Sequence, residues 1–316
     1  MIDQAARIIR QGGIVAFPTE TVYGLGADAF NPLAVARIFE VKQRPLFDPL
    51  IVHIARLNEL DRLAMELPSP ARRLIDRFWP GPLTLVLKKR EEVPEIVTGG
   101  LPTVAIRMPK HPLALELIQA ADCPIAAPSA NPFGYVSPTT AEHVREQLED
   151  RVDLILEGGP CEVGVESTII SLVDERPRLL RPGGVPLEEI ESVIGQVEIG
   201  PFEGHRPLAP GMLSKHYAAR TPVFLDWSEA DVARYEGRRI GLLAFDRIRP
   251  SLRFDAVEVL SEKGDLREAA ANLFSALRRL DRSGLEAIFA EPVPEVGLGR
   301  AIMDRLRRGS HKGEGS

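Results

Sequence analysis

At 316 residues, with 44% hydrophobic and 27% charged side chains, the chain has the make-up of an ordinary globular protein and is long enough to form two domains. A formal net charge of -6 argues against a surface built mainly for nucleic acid or anionic lipid, and allows only a local basic cleft. Cys123 and Cys161 are too few for a disulfide framework and lack zinc-site spacing, and the absence of an apolar leader or membrane-length run predicts a cytoplasmic protein with two reduced thiols.

In chain order, Ile2, Ala5, Ala6 and Ile9 share a helix face, Gly12-Gly13 stop that helix, and Ile14-Val15-Ala16-Phe17 reads as a buried strand. The following Pro18 to Gly26 segment reads as a hydroxyl-rich turn whose glycines let a ligand come close to the backbone. Asn31 caps a helix with Pro32 in its first position, and that helix carries Lys42 and Arg44 at its C-terminal end. Strands are predicted at 50–54, 83–87, 103–107, 124–127, 154–157, 167–172 and 178–181, with helices near 70–78, 112–120, 140–149 and 187–194. So many strands among few helices predict an open, twisted α/β domain with a mixed sheet over residues 1–199.

Regular patterning stops at 200–219, where Pro201, Gly204, Pro207, Pro210 and Gly211 mark a linker ending in Lys215-His216-Tyr217. Strands at 222–225, 240–245, 256–260 and 287–290 then alternate with helical stretches, the longest carrying Leu266, Ala270, Leu273, Phe274, Leu277 and Leu280 at helical spacing. Residues 220–308 are expected to form a smaller Rossmann-like α/β domain, followed by a polar tail over 309–316.

Neither of the usual glycine-rich nucleotide cradles is present, so any nucleotide must be held by other means. Lys42 and Arg44 can reach different phosphate oxygens, although a Lys-x-Arg pair is also a common solvated surface feature. Pro45 fixes the backbone at Arg44, and the apolar run Leu50-Ile51-Val52-His53-Ile54 buries the neighbourhood. His53 fits two readings, a satisfied core histidine or a donor to a bound ligand. Pro128-Ser129-Ala130-Asn131-Pro132 ends a buried strand abruptly, either as a surface turn or as a ligand-bearing sheet edge, and Ser137-Pro138-Thr139-Thr140 then caps a helix. Arg107 ends the apolar strand that begins at Thr103 and suits a carboxylate, while Glu166-Ser167-Thr168 and Arg181-Pro182-Gly183 complete the set.

These segments resemble the YrdC-like family of threonylcarbamoyl-AMP synthases in its long form, with a linker and a C-terminal domain. The resemblance rests on Pro18-Thr19-Glu20-Thr21-Val22-Tyr23-Gly24-Leu25, Lys42-Gln43-Arg44-Pro45, Pro49-Leu50-Ile51-Val52-His53, Trp79-Pro80-Gly81-Pro82-Leu83-Thr84 and Arg107-Met108-Pro109. It continues through Ala127-Pro128-Ser129-Ala130-Asn131, Glu166-Ser167-Thr168, Leu180-Arg181-Pro182-Gly183, Ala209-Pro210-Gly211-Met212 and Lys215-His216-Tyr217. It implies a nucleotidyltransferase that makes threonylcarbamoyl-AMP and pyrophosphate from L-threonine, bicarbonate and ATP. The product serves the threonylcarbamoyl modification of adenosine 37 in tRNAs that read codons beginning with A.

Carried over residue by residue, the resemblance implies that Thr21, His53, Arg107, Ala127 and Ser167 hold threonine. It assigns the nucleotide and the reacting carbamate to Lys42, Arg44, Asp48, Thr103, Ser129, Asn131, Ser137 and Arg181, with Lys42, Arg44, Ser129 and Asn131 as the catalytic set. Lys215, His216 and Tyr217 form a lid, Mg²⁺ travels on the ATP phosphates, and a tRNA threonylcarbamoyl transferase complex follows downstream with at most weak tRNA contact. The family usually has Asn where this chain has Asp48. A carboxylate there must be protonated, face Lys42 or bind the metal, and the third is expected. Two other readings are an RNA-binding module and a carbamoyltransferase that uses carbamoyl phosphate; the acidic composition weighs against the first and the missing Cys-x-x-Cys array against the second.

Overall fold

The computed structural model describes residues 1–200, 208–212, 217–247 and 252–310. Strands β1 (Val15–Phe17), β2 (Gly24–Asp28), β3 (Ile51–His53), β4 (Leu83–Lys88), β5 (Thr103–Arg107), β6 (Ile125–Ala126), β7 (Leu154–Ile155), β8 (Thr168–Ser171) and β9 (Arg178–Arg181) form one sheet in the order β7-β1-β2-β6-β3-β5-β4-β8-β9. Three parallel pairs (β1 with β7, β3 with β5, β4 with β8) are interspersed among antiparallel ones, as the sequence reading expects for a mixed sheet.

The helices explain where the sheet is left bare. Helices α1 (Ile2–Arg10), α2 (Pro32–Lys42), α3 (Ser69–Phe78), α4 (Glu95–Thr98), α5 (Pro112–Ala121), α6 (Ala141–Leu148) and α7 (Leu187–Ile194) belong to this part of the chain. One sheet face presents Leu25, Val52, Leu85, Ile106 and Ile170 to the apolar stripes of α2, α3, α6 and α7, including Val35, Ile38, Leu74, Val144 and Ile190. On the other face, α1 and α5 cover only the end containing Val15, Phe17, Ile125 and Ala127. Its remaining apolar surface, Ile51, Val86, Ala105, Ile169 and Leu180, is covered by Leu208, Ala209 and Met212 of the connecting strap. Alternation along β5 sends Val104 and Ile106 to the helix-covered core and puts Ala105 and Arg107 on this barer face.

β2 corrects the reading of the whole Pro18 to Gly26 segment as a turn. It pairs with β1 through Val15↔Gly26, Ala16↔Leu25 and Phe17↔Gly24. A Cβ at Gly26 would lie 2.6 Å from Ile125 Cγ2 and 2.7 Å from Phe17 Cε1, so glycine serves close packing here.

The second unit contains β10 (Val223–Phe224), α8 (Glu229–Ala233), β11 (Ile240–Ala244), β12 (Ala256–Val259), α9 (Leu266–Arg282), β13 (Ala287–Ala290) and α10 (Gly299–Gly309). Its four strands are all parallel, in the order β10-β13-β11-β12, as a Rossmann-like pattern requires. The inward stripe of α9, including Leu273, Phe274 and Leu277, packs in one cluster with Val22, Val136 and Val165 of the first unit. Arg278 also crosses the boundary and donates to Gln147 Oε1 at 2.8 Å. No described helix is long and apolar enough to cross a membrane.

Candidate active site

A cleft opens where the barer sheet face meets the strap. Thr19, Thr21, Val22, Gly24, Arg44, Ile51, His53, Arg107, Ala127, Pro128, Ser129, Glu166, Ser167, Arg181, Pro210, Gly211 and Tyr217 line it. Its walls are therefore the ends of β3, β5, β6, β8 and β9, the 18–24 loop, and a short piece of the linker.

Backbone carbonyls and neighbouring side chains together fix each guanidinium in this cleft. Arg44 follows Gln43, whose left-handed backbone (φ 54°) ends α2 and turns the chain toward the cleft. Arg44 donates from Nε to Asp48 O at 3.2 Å and from Nη2 to Pro49 O at 2.8 Å, and Nη2 pairs with Asp48 Oδ2 at 2.9 Å. Arg107 donates from Nε to Gly81 O at 3.2 Å and from Nη1 to Thr21 Oγ1 at 2.9 Å, with Nη2 2.6 Å from Glu20 Oε1. Arg181 donates from Nη2 to Ser167 O at 2.9 Å and from Nη1 to Pro210 O at 3.0 Å, which ties the strap to β9. Such anchoring sets where positive charge stands before any ligand arrives.

His53 shares the barer face with Ile51. Burial, with the adjacent charge of Arg107, drives its pKa from the ordinary 6.5 down to about 3, so it is a neutral imidazole at neutral pH. Ser167 is 2.7 Å from Thr84 across the β4–β8 pair, hydroxyl to hydroxyl. Thr21, His53, Arg107, Ala127 and Ser167, expected around an amino acid, thus share the cleft with Arg44, Ser129 and Arg181, expected around phosphates.

Other expected site residues stand behind the wall. Lys42 is buried and donates to Ser129 O at 2.6 Å and to Asn131 O. It clamps the 128–132 loop from beneath and does not line the cleft. Burial, and then the nearby Arg44 charge, hold its pKa well below the usual lysine range. Asn131 spends its amide on Pro132 O and Tyr135 O, both at 2.9 Å, and so shapes the same loop.

Asp48, expected as a metal ligand, is fully buried and faces Arg44. Burial pushes its carboxyl up, partly offset by Arg44 and Lys42. Ser137 donates to Glu166 Oε1 at 2.5 Å and does not line the cleft. Thr103 starts the strand that Arg107 ends, about 13 Å away at the usual strand rise, and lies outside the cleft lining. Tyr217 lines the cleft, whereas Lys215 and His216 lie outside the described residues.

Glu166 is the wall residue whose role the sequence reading missed, although its motif was visible. Burial raises its pKa, but Arg305, Arg181 and the Ser137 hydrogen bond outweigh that and hold the carboxyl below its usual range. Glu20 was also overlooked; it pairs with Arg107 and accepts from Lys110 N at 3.0 Å. Among the described residues no group of His, Cys, Asp and Glu forms a metal-binding cluster.

Comparison with known proteins bears on the whole length. The family model described as Telomere recombination matches residues 7–183, and the one described as Threonylcarbamoyl-AMP synthase, C-terminal domain, matches residues 185–310. The chain is 49% identical over 321 residues to the threonylcarbamoyl-AMP synthase of Pyrococcus abyssi, covering 97% of this chain and 93% of that one. It is 45% identical over 318 residues to the threonylcarbamoyl-AMP synthase of Bacillus subtilis, covering 97% and 92%. The crystal structure of P. abyssi Sua5 complexed with L-threonine matches with a TM-score of 0.90 at 48% identity, covering 98% of this chain and 94% of that chain.

Proposed function

The chain belongs to the threonylcarbamoyl-AMP synthase family, and from that premise we propose how its cleft divides the work of making threonylcarbamoyl-AMP and pyrophosphate from L-threonine, bicarbonate and ATP. The observation that carries the assignment of roles is the convergence of Arg44, Arg107 and Arg181, from three separate elements, on one cleft lined by Thr21, Ser129 and Ser167 hydroxyls. Substrates that carry a carboxylate, a bicarbonate and a triphosphate need this spread of fixed donors.

In this reading Arg107 takes the threonine carboxylate, with Thr21 and Ser167 beside it and neutral His53 as a hydrogen-bonding neighbour that adds no competing charge. Ala127 borders the side-chain end. Arg44, Ser129 and Arg181 face the α-phosphate and the departing pyrophosphate. The threonine amine combines with bicarbonate, releasing water, to give a carbamate. A carbamate oxygen then attacks the α-phosphorus as the bond to pyrophosphate breaks. Nothing in this sequence requires a covalent enzyme intermediate, so rate comes from alignment and from charge placed in advance.

Mg²⁺ enters as part of the ATP substrate. Asp48 is held by Arg44 and Glu166 by Ser137 and Arg305, so phosphate oxygens and water supply the ligands. The product, a mixed anhydride, passes to a tRNA threonylcarbamoyl transferase complex for modification of adenosine 37, with at most weak tRNA contact by this chain. That use of the product places the reaction in the cytoplasm.

Pyrophosphate release from ATP in the presence of bicarbonate tests the reading. L-threonine is expected to drive it and L-serine to drive it less, and Arg44→Ala is expected to lower the rate by about 10²- to 10³-fold. Turnover that ignores the amino acid, or that runs on carbamoyl phosphate, would overturn it.

A further inference from the structure

We propose that Arg305, supplied by the second unit, is a positioning residue of the synthase site: its guanidinium matches the charge of Glu166 in the cleft wall and seats Tyr217 in the closed strap. The inference rests on the synthase reading for its kinetic consequence and on geometry alone for the rest.

Arg305 lies on α10 among Ala301, Ile302, Met303 and Leu306, and its side chain is fully buried. It donates from Nε to Glu166 Oε2 at 2.9 Å and from Nη1 to Pro182 O at 2.6 Å, with Asp304 Oδ2 2.9 Å from Nη1. Its Cζ stands 5.2 Å from the centroid of the Tyr217 ring, and that ring stacks on Phe274 of α9 at 5.7 Å. Two residues of the second unit therefore hold the aromatic ring that closes the cleft of the first. A further arm of α10 reaches the strap, where Arg308 Nη1 donates to Met212 O at 3.1 Å.

Three physical points favour a functional role over a structural one. A buried ion pair adds little stability over apolar residues of the same volume, so the apolar face of α10 did not need an arginine to fold. Glu166 faces a cleft proposed to take a triphosphate, and an unmatched carboxylate there would repel it. Tyr217 has a left-handed backbone (φ 66°), a conformation a bulky residue keeps only when its surroundings hold it. Arg305 does not line the cleft, so it acts through Glu166 and Tyr217.

These two actions can be separated experimentally. Arg305→Met is expected to raise the KM for ATP about tenfold with kcat changed less than about threefold, because the exposed charge opposes substrate binding. Glu166→Gln combined with Arg305→Met removes both charges and is expected to bring the KM for ATP back toward the wild-type value; this double variant also covers the case in which the single one does not fold. Arg305→Lys keeps the charge but loses the planar fork over Tyr217, and is expected to recover more of the KM for ATP than Arg305→Met does while leaving Ala218 exchange faster than in wild type.

The seat of Tyr217 is read by hydrogen exchange at the Ala218 amide, which donates to Gly134 O at 2.8 Å. Exchange there should be faster in both methionine-bearing variants. A KM for ATP and an Ala218 exchange rate within about twofold of wild type in Arg305→Met would overturn the proposal, as would a lowered melting temperature with unchanged kinetics and exchange. If even the wild-type chain releases no pyrophosphate, the synthase reading fails, while the exchange measurement still decides the seating role.

Discussion

His53 shows how one side chain's surroundings fix its chemistry. Its imidazole titrates near 6.5 when the chain is unfolded and at about 3 when folded, because burial and Arg107 both oppose a positive charge there. Below pH 6.5 the unfolded chain binds a proton that the folded chain refuses, so stability falls as pH drops from 6.5 toward 3. Between pH 7 and pH 5 this one group removes about 2 kcal/mol. Urea denaturation at both pH values should therefore show a smaller loss in His53→Gln than in wild type, and equal losses would mean the imidazole is not held neutral. The sequence showed that His53 follows an apolar run; it did not show which face of β3 the ring occupies. Two residues decide that, since Ile51 and His53 point to the barer face and Val52 to the helix-covered core.

At the scale of elements, α2 and the 128–132 loop form one device. Asn31 accepts from Leu33 N and Ala34 N to start α2, and Gln43 stops it in a left-handed turn, so Lys42 and Arg44 part company, one going beneath the loop and the other into the cleft. Lys42→Met strips the donor from two carbonyls, Ser129 O and Asn131 O, and is expected to cost about 2–4 kcal/mol in urea denaturation. Were Lys42 a phosphate ligand instead, that substitution would weaken ATP binding and leave stability near wild type.

Most strands and helices were legible because their apolar spacing was regular; Thr103–Arg107, Arg178–Arg181 and Leu187–Ile194 fall where the pattern puts them. β2 was not, because alternate positions, Gly24 and Gly26, are glycines and a glycine's role depends on the neighbour, here Phe17 and Ile125, that occupies the missing side chain's space. Which members of a motif line the cleft was equally hidden. Lys42 and Arg44 look alike on paper, and only the packed loop tells the buried clamp from the cleft wall.

For the molecule as a whole, the join between its two units is part of the site. Gly164 has φ +72°, and a Cβ there would meet Ala271 Cα at 2.4 Å and Ala270 O at 2.5 Å, both backbone atoms of α9. Gly164→Val must therefore push α9 away, and is expected to cost about 2 kcal/mol or more while also reducing turnover through displaced Phe274. A melting curve and a pyrophosphate assay on the same preparation check this; wild-type turnover in a destabilised protein would show that the join does not reach the site. Arg305 could not be found from sequence, since its partner Glu166 lies 139 positions earlier and pairing over that distance leaves no local pattern.

The strap lies on Ile51, Val86, Ala105, Ile169 and Leu180, with Leu208, Ala209 and Met212 against them. Lifting it would wet these side chains and so give such an opening step a positive heat capacity change. The enthalpy of opening must therefore grow with temperature. An Arrhenius plot of any step gated by opening will curve even where the chemical step itself obeys a single activation energy.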